Sequence, residues 1–226
     1  GNGQPAGEIT YRRAAVRQRV ECSAAVDFVE MKRKEKRMNE KFEGLKRRMF
    51  ALAGCDWAGE VCLKDGDELS LSLDDGRLTV EAPDLSAAGR GLFLAACALR
   101  DGGDVPKLHQ KRHIASCGMM LDMSRGGVMK VEAVKRMIDA HAALGLNMMM
   151  LYTEDTYTVP EAPYLGYLRG RYTEKELREM DDYAADSGVE LVPCVQTLAH
   201  LEHFLQWDVN REIKDNDCVL MIDEPK

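Results

Sequence analysis

Five polar side chains, Asp122, Arg125, Glu154, Asp155 and His200, stand at or just beyond the carboxyl ends of three apolar runs: Gly118 to Arg125 (GMMLDMSR), Asn147 to Tyr157 (NMMMLYTEDTY) and Val189 to His200 (VELVPCVQTLAH). Polar groups delivered at the ends of neighbouring parallel strands are where α/β sheets and barrels hold their ligands. An arginine fork braced by carboxylates donates directed hydrogen bonds, which suits it to orienting hydroxyl groups. The chemistry this implies is recognition of a hydroxyl-rich substrate. The alternative is that Asp122 and Arg125 only pair with each other at a strand end.

His200 and His203 around Glu202 invite a metal reading, with Glu154 or Asp155 as a third ligand. The usual helical zinc signature places its histidines four apart around a glutamate, which this spacing does not match. No metal is therefore assigned, and His200 is read as held by a neighbouring carboxylate. A fourth apolar stretch, CVLMIDEPK, puts Asp223 and Glu224 near the end of the chain, as a candidate general acid and its orienter.

The elements that must position these groups follow from periodicity. The run Met148 to Leu151 is apolar at every position, as in a parallel strand covered on both faces. Val131, Val134, Met137, Ile138 and Ala142 recur at helical spacing before Gly145, and Thr173 with Glu176 forms a capping box ahead of a helix closed by Gly188. The order β-α-β-α-β requires a parallel sheet. The connection from Thr153 to Tyr172 is far longer than the usual two to six residues. It carries Tyr157, Tyr164, Tyr167, Arg169 and Arg171, a mixture that can line a polar site with aromatic faces or hold the loop together.

Upstream the pattern differs. Met38, Phe42, Leu45, Met49 and Leu52 predict a helix from about Glu35 that ends at Gly54. Leu69, Leu71 and Leu73, then Asp75-Gly76, then Leu78, Val80 and Ala82 predict a hairpin with one buried face. Ser86 is expected to cap an alanine-rich helix that covers it. Ala14 to Met31 does not decide between strand and helix. The expected organisation is a small α+β domain over 1–112, with Asp101 to Lys111 as connector, then parallel α/β units over 113–226.

Composition is that of an ordinary folded protein: 226 residues, 45% hydrophobic and 31% charged. The net charge of −7 argues against nucleic acid as partner. The basic cluster at Lys32, Arg33, Lys36 and Arg37 is diluted by Glu30, Glu35 and Glu40, as on a solvated helix face. Seven cysteines without a C-x-x-C pair suggest free thiols, a reducing compartment and hence a cytoplasmic location. No apolar stretch reaches the length of a membrane span, and no signal core opens the chain.

The segments GMMLDMSRGGVMKVEAVKRMIDAHAALGLNMMMLYTED and RGRYTEKELREMDDYAADSGVELVPCVQTLAH resemble the family-20 glycoside hydrolases, the β-N-acetylhexosaminidases, from about Gly118 to Trp207. In that family a strand ending L-D-x-S-R leads to a helix, a strand ending in an acid pair, a helix with Y-T-x-x-E and a strand ending in histidine. MLYTEDTY with GYLRGRY looks more like a bacterial exo-β-N-acetylglucosaminidase branch, since the Trp-His that usually precedes two aspartates is replaced by Leu151, Tyr152, Thr153, Glu154 and Asp155.

The resemblance implies a (β/α)8 barrel and a retaining exo-glycosidase without cofactor, in which the substrate's own 2-acetamido oxygen attacks the anomeric carbon. The partner would be an N-acetylhexosamine-terminated oligosaccharide. Arg125 would hold sugar hydroxyls with Asp122 bracing it, and Asp155 and His200 would be coupled supports of the pocket. The family's catalytic Asp-Glu pair sits in a G-x-D-E context, unlike Asp223-Glu224 between Ile222 and Pro225. Gly118 to Lys226 is less than half of the roughly 250 residues a (β/α)8 barrel takes. The expectation is a truncated barrel, its catalytic acid after Lys226, inactive alone and with exposed edges that favour self-association. The alternative is a non-catalytic α/β module that binds a sugar or a partner chain.

Overall fold

The computed structural model describes residues 36–222. Ala14 to Met31, Lys32 and Arg33 of the basic cluster, and Asp223 and Glu224 lie outside them. The chain divides into two compact units, Gly1–Glu43 and Gly44–Lys226. Of the first, the opening turns of helix α1 (residues 36–53) are described. In the second, Leu45 and Met49 of α1 are fully buried, and Gly54 ends the helix at φ 68°, as its sequence position predicts.

Strands β1 (Glu60–Asp65), β2 (Leu69–Asp74), β3 (Arg77–Ala82) and β4 (His109–Gln110) form a sheet in the order β1-β3-β2-β4. The predicted hairpin is β2–β3, antiparallel with Leu71 opposite Val80 and Leu73 opposite Leu78. Asp75 and Gly76 both take positive φ, 48° and 76°, the pair of left-handed residues a tight hairpin turn needs. Two strands differ from expectation. β1, EVCLKD, pairs parallel to β3, and the expected connector supplies the short edge strand β4. Their apolar content is too low to show as an alternating run, and pairing partners decide them.

Leu69, Leu71, Leu78, Val80 and Ala82 form the buried face of this sheet, covered by α2 (Leu85–Arg100) through Leu92, Ala95 and Ala96. Gly91 permits that close approach: a Cβ there would sit 2.8 Å from Leu69 Cδ1. The helix is capped by Asp84, whose carboxylate accepts from the Ala87 amide at 2.9 Å. Ser86, expected as the cap, lies inside the first turn and donates to Asp84.

The second sheet is all parallel, in the order β5 (Gly118–Asp122), β6 (Met148–Glu154), β7 (Glu190–Val195). Helices α3 (Val131–Leu144) and α4 (Glu174–Ala185) connect its strands, α3 closing at Gly145 (φ 74°) and α4 opening with the Thr173/Glu176 capping box. Its last helical residue is Ala185, with Asp186 as C-cap and Gly188 left-handed just beyond. Val134, Ile138, Met149, Leu151, Met180 and Ala184 make the core between sheet and helices.

The expectation of cover on both faces is met on one only. Residues 149, 151 and 153 of β6 face the helices and are buried, whereas Met120 on the opposite face is 56% exposed. Two helices cover the odd-numbered face, and among the described residues no third layer covers the other.

After β7 come a short helix α5 (Glu202–Leu205) and a 3₁₀ turn at Asp208–Ile213. The apolar stretch at 218–222 adds no strand to the sheet. Leu220 donates instead to the Leu198 carbonyl at 2.9 Å and bridges Lys214. No described helix is long and apolar enough to cross a membrane.

Candidate functional site

The carboxyl ends of β5 and β6 carry the site. Parallel pairing sets Asp122 opposite Tyr152, so both leave the sheet on the open face. Immediately after Asp122 the chain turns, and the Ser124 amide and hydroxyl each donate to Asp122 Oδ1 at 2.8 Å. That turn brings Arg125 back over the strand end, where its Nη1 donates to Asp122 Oδ2 at 2.8 Å. The two Ser124 hydrogen bonds and then Arg125 hold the Asp122 carboxyl down at about 2.

Glu154 reaches the same guanidinium from β6. The register between β6 and β7 slips between Tyr152 and Glu154, and Glu154 adopts φ 48°, a left-handed conformation uncommon for a residue with a side chain. Such strain persists where surrounding contacts over-determine it, and it concentrates at binding sites. The result is an acid whose side chain is only 9% exposed, 3.5 Å from Arg125 Nη2. Tyr152 donates to Glu154 Oε1 at 3.1 Å and accepts from Gln196 Nε2 at 2.8 Å, while Arg125 Cζ stands 5.3 Å above its ring. Arg125 is thus contacted by Asp122, Glu154 and Tyr152, yet it remains exposed to solvent.

Asp155, although adjacent, has a different partner. Its Oδ1 accepts from Arg169 Nη1, deep in the structure, and its Oδ2 is buried without a hydrogen-bond partner among the described residues. The expected coupling of Asp155 to His200 is therefore replaced by an ion pair to the long loop. His200 lies exposed at φ 60° beyond β7. Glu202 is held below the usual carboxylate range by its own amide and Cys218, then by His200 and His203. Among the described residues no cluster of three or more metal-ligating side chains forms.

The loop between β6 and α4 closes at its base, where Thr158 and Tyr172 pair through their backbones. Tyr172 donates to the Met129 carbonyl at 2.6 Å, and burial pushes its hydroxyl up to about 12. Arg171 donates to the carbonyls of Pro163 and Leu165. Two partners are new relative to the sequence: Tyr152, to which no role was given, and Asp155 for Arg169, which was expected only to line a polar site or hold the loop. The first was detectable, since it lies two residues before Glu154 and so on the same face of the strand. A separate apolar groove of about 370 Å³, lined by Leu151, Leu177, Leu191 and Pro193, opens on the helix-bearing face, not at Arg125.

No protein-family model matches the sequence, and neither does any curated protein. Solved structures do match. Flavobacterium johnsoniae chitobiase superposes with a TM-score of 0.60 at 22% identity, over 78% of this chain and 32% of its own. A glycoside hydrolase family 20 β-N-acetylglucosaminidase matches with 0.56 at 25% identity, over 73% and 38%. The family-20 β-N-acetylhexosaminidase of Streptomyces coelicolor A3(2) matches with 0.57 at 22% identity, over 74% and 42%. The chain spans well under half the length of each. The mixed α/β architecture described above is similar to the fold of a portion of these family-20 structures.

Proposed function

We propose that this chain is part of a β-N-acetylhexosaminidase that binds the terminal N-acetylhexosamine of β-linked glycans. The carrying observation is Arg125, held between Asp122 and Glu154 at the strand ends and exposed to solvent, where a sugar hydroxyl can reach it. On this reading the three parallel strands open a (β/α)8 barrel from residue 113, preceded by an α+β domain over 1–112. The open face of the sheet is its interior, and the Arg125 end is its mouth.

The reaction is retaining and substrate-assisted. The 2-acetamido oxygen attacks the anomeric carbon as the glycosidic bond breaks, an acid protonates the departing oxygen, and water then opens the oxazolinium with retained configuration. Arg125, Asp122 and Glu154 bind and orient the sugar, and no cofactor takes part. Proton transfer is assigned to none of the described residues. Asp223 and Glu224 are candidates outside them, and a later part of the whole protein is the other source.

Two measurements test this. Titration with N-acetylglucosamine should perturb Arg125 and Tyr152 resonances, and Arg125→Ala should abolish binding. Hydrolysis of an aryl N-acetyl-β-D-glucosaminide, with an Asp223→Asn, Glu224→Gln double variant alongside, locates the acid. Activity lost in the variant assigns it to that pair. Sugar binding indifferent to Arg125 would defeat the reading.

A further inference from the structure

The long loop after β6 carries two tyrosines that the Arg125 cluster does not use. Tyr164 and Tyr167 are 37% and 44% exposed. They pack with each other at 5.5 Å and onto Trp207, at 5.4 Å and 5.2 Å between ring centroids, Tyr167 edge-on. The Trp207 indole N–H is buried without an acceptor among the described residues, so the indole edge is sunk and the tyrosines form the accessible layer. None of the three belongs to the buried core of the second sheet.

The loop is also fastened to the site. Gly166, at φ 63°, lies against the Asp155 carbonyl, which a Cβ there would approach to 2.4 Å, and Arg169 pairs with the Asp155 carboxylate. Tyr167 is therefore anchored one residue from the backbone of Asp155, itself adjacent to Glu154. Leu168, at φ 64° and exposed, marks the apex of a loop held in one shape by those contacts.

We propose that Tyr164 and Tyr167, seated on Trp207, form an aromatic platform that stacks the second pyranose ring of a β-linked oligosaccharide, next to the ring held at Arg125. Tyrosine suits that task. Its ring face packs against the axial C–H groups of a pyranose, its hydroxyl serves the equatorial hydroxyls, and it loses little conformational entropy. The inference rests on the carbohydrate reading of the Arg125 site and assigns its neighbouring subsite.

The test compares binding of N-acetylglucosamine and of the S-linked, non-hydrolysable β-1,4 disaccharide of N-acetylglucosamine to the full chain. The disaccharide should bind about five- to tenfold more tightly, the size of one good aromatic contact. Tyr164→Ala with Tyr167→Ala should remove that advantage and leave monosaccharide affinity unchanged, while Tyr167→Phe should keep it. In the chain without substitution, the Trp207 indole ¹⁵N–H resonance should shift with the disaccharide and not with the monosaccharide.

An advantage that survives the double alanine variant, or a Trp207 resonance unmoved by disaccharide, overturns the platform. Failure of the underlying reading looks different. Monosaccharide binding then ignores Arg125→Ala, whether or not the tyrosine effect is present.

Discussion

Arg169 and Asp155, fourteen residues apart in sequence, form an ion pair whose side chains are 16% and 3% exposed. The pair ties the middle of the long β6–α4 loop to the end of its strand, within one residue of the acid that holds Arg125. Removing one partner of such a pair leaves the other charged, buried and unpaired, which costs more than the pair itself contributes. Arg169→Ala is expected to lower stability by about 3–5 kcal/mol, measured by urea denaturation. Arg169→Ala combined with Asp155→Asn should recover part of that loss, because the orphaned charge is gone.

The Asp122 carboxyl carries a testable pH signature. Its folded pKa of about 2 lies below the ordinary 3.8, because the Ser124 amide and hydroxyl and then Arg125 favour the carboxylate. A depressed carboxylate contributes its stability above the unfolded value, and that contribution fades as pH falls from about 3.8 through about 2. The carboxyl carbon resonance of Asp122 should titrate near pH 2. In Ser124→Ala, which keeps the amide but removes the hydroxyl, the titration should move part of the way upward toward 3.8, and an unmoved midpoint would remove the Ser124 hydroxyl as a cause.

The two faces of β6 and its neighbour should respond unequally to substitution. Met149 is fully buried against α3 and α4, whereas Met120 on the other face is exposed. Met149→Ala is expected to cost about 2–5 kcal/mol. Met120→Gln in this chain should fall within about 0.5 kcal/mol of wild type, as for other exposed positions. Chemical denaturation of both variants checks the contrast.

The capping box of α4 gives a smaller, local effect. The Thr173 hydroxyl accepts from the Glu176 amide at 3.3 Å, and the Glu176 carboxylate accepts from the Thr173 amide at 2.8 Å. Thr173→Ala should cost about 1 kcal/mol. Amide hydrogen exchange should show faster opening in the first turn of α4 and unchanged protection in β6.

What the sequence by itself determined is local. Asp75-Gly76 requires left-handed backbone and so places the hairpin. Gly145 and the Thr173/Glu176 pair mark helix ends, and the apolar runs before Asp122, Glu154 and Gln196 mark three strands whose ends collect polar groups. Each of these follows from a residue's own conformational limits or from a repeat of two or 3.6 residues, which neighbours in sequence suffice to show. The tertiary structure decided what depends on partners far along the chain. It paired β1 and β4 with strands that their own composition does not announce, and moved the α2 cap from Ser86 to Asp84. Among the described residues it also left one face of the parallel sheet open. Above all it separated two adjacent acids. A bulge and a positive φ at Glu154 turn that residue toward Arg125 and send Asp155 inward to Arg169. Adjacent residues in a strand carry no sign of which side of a later bulge they will occupy. That choice is made by the guanidinium groups that arrive from the turn after β5 and from the loop after β6.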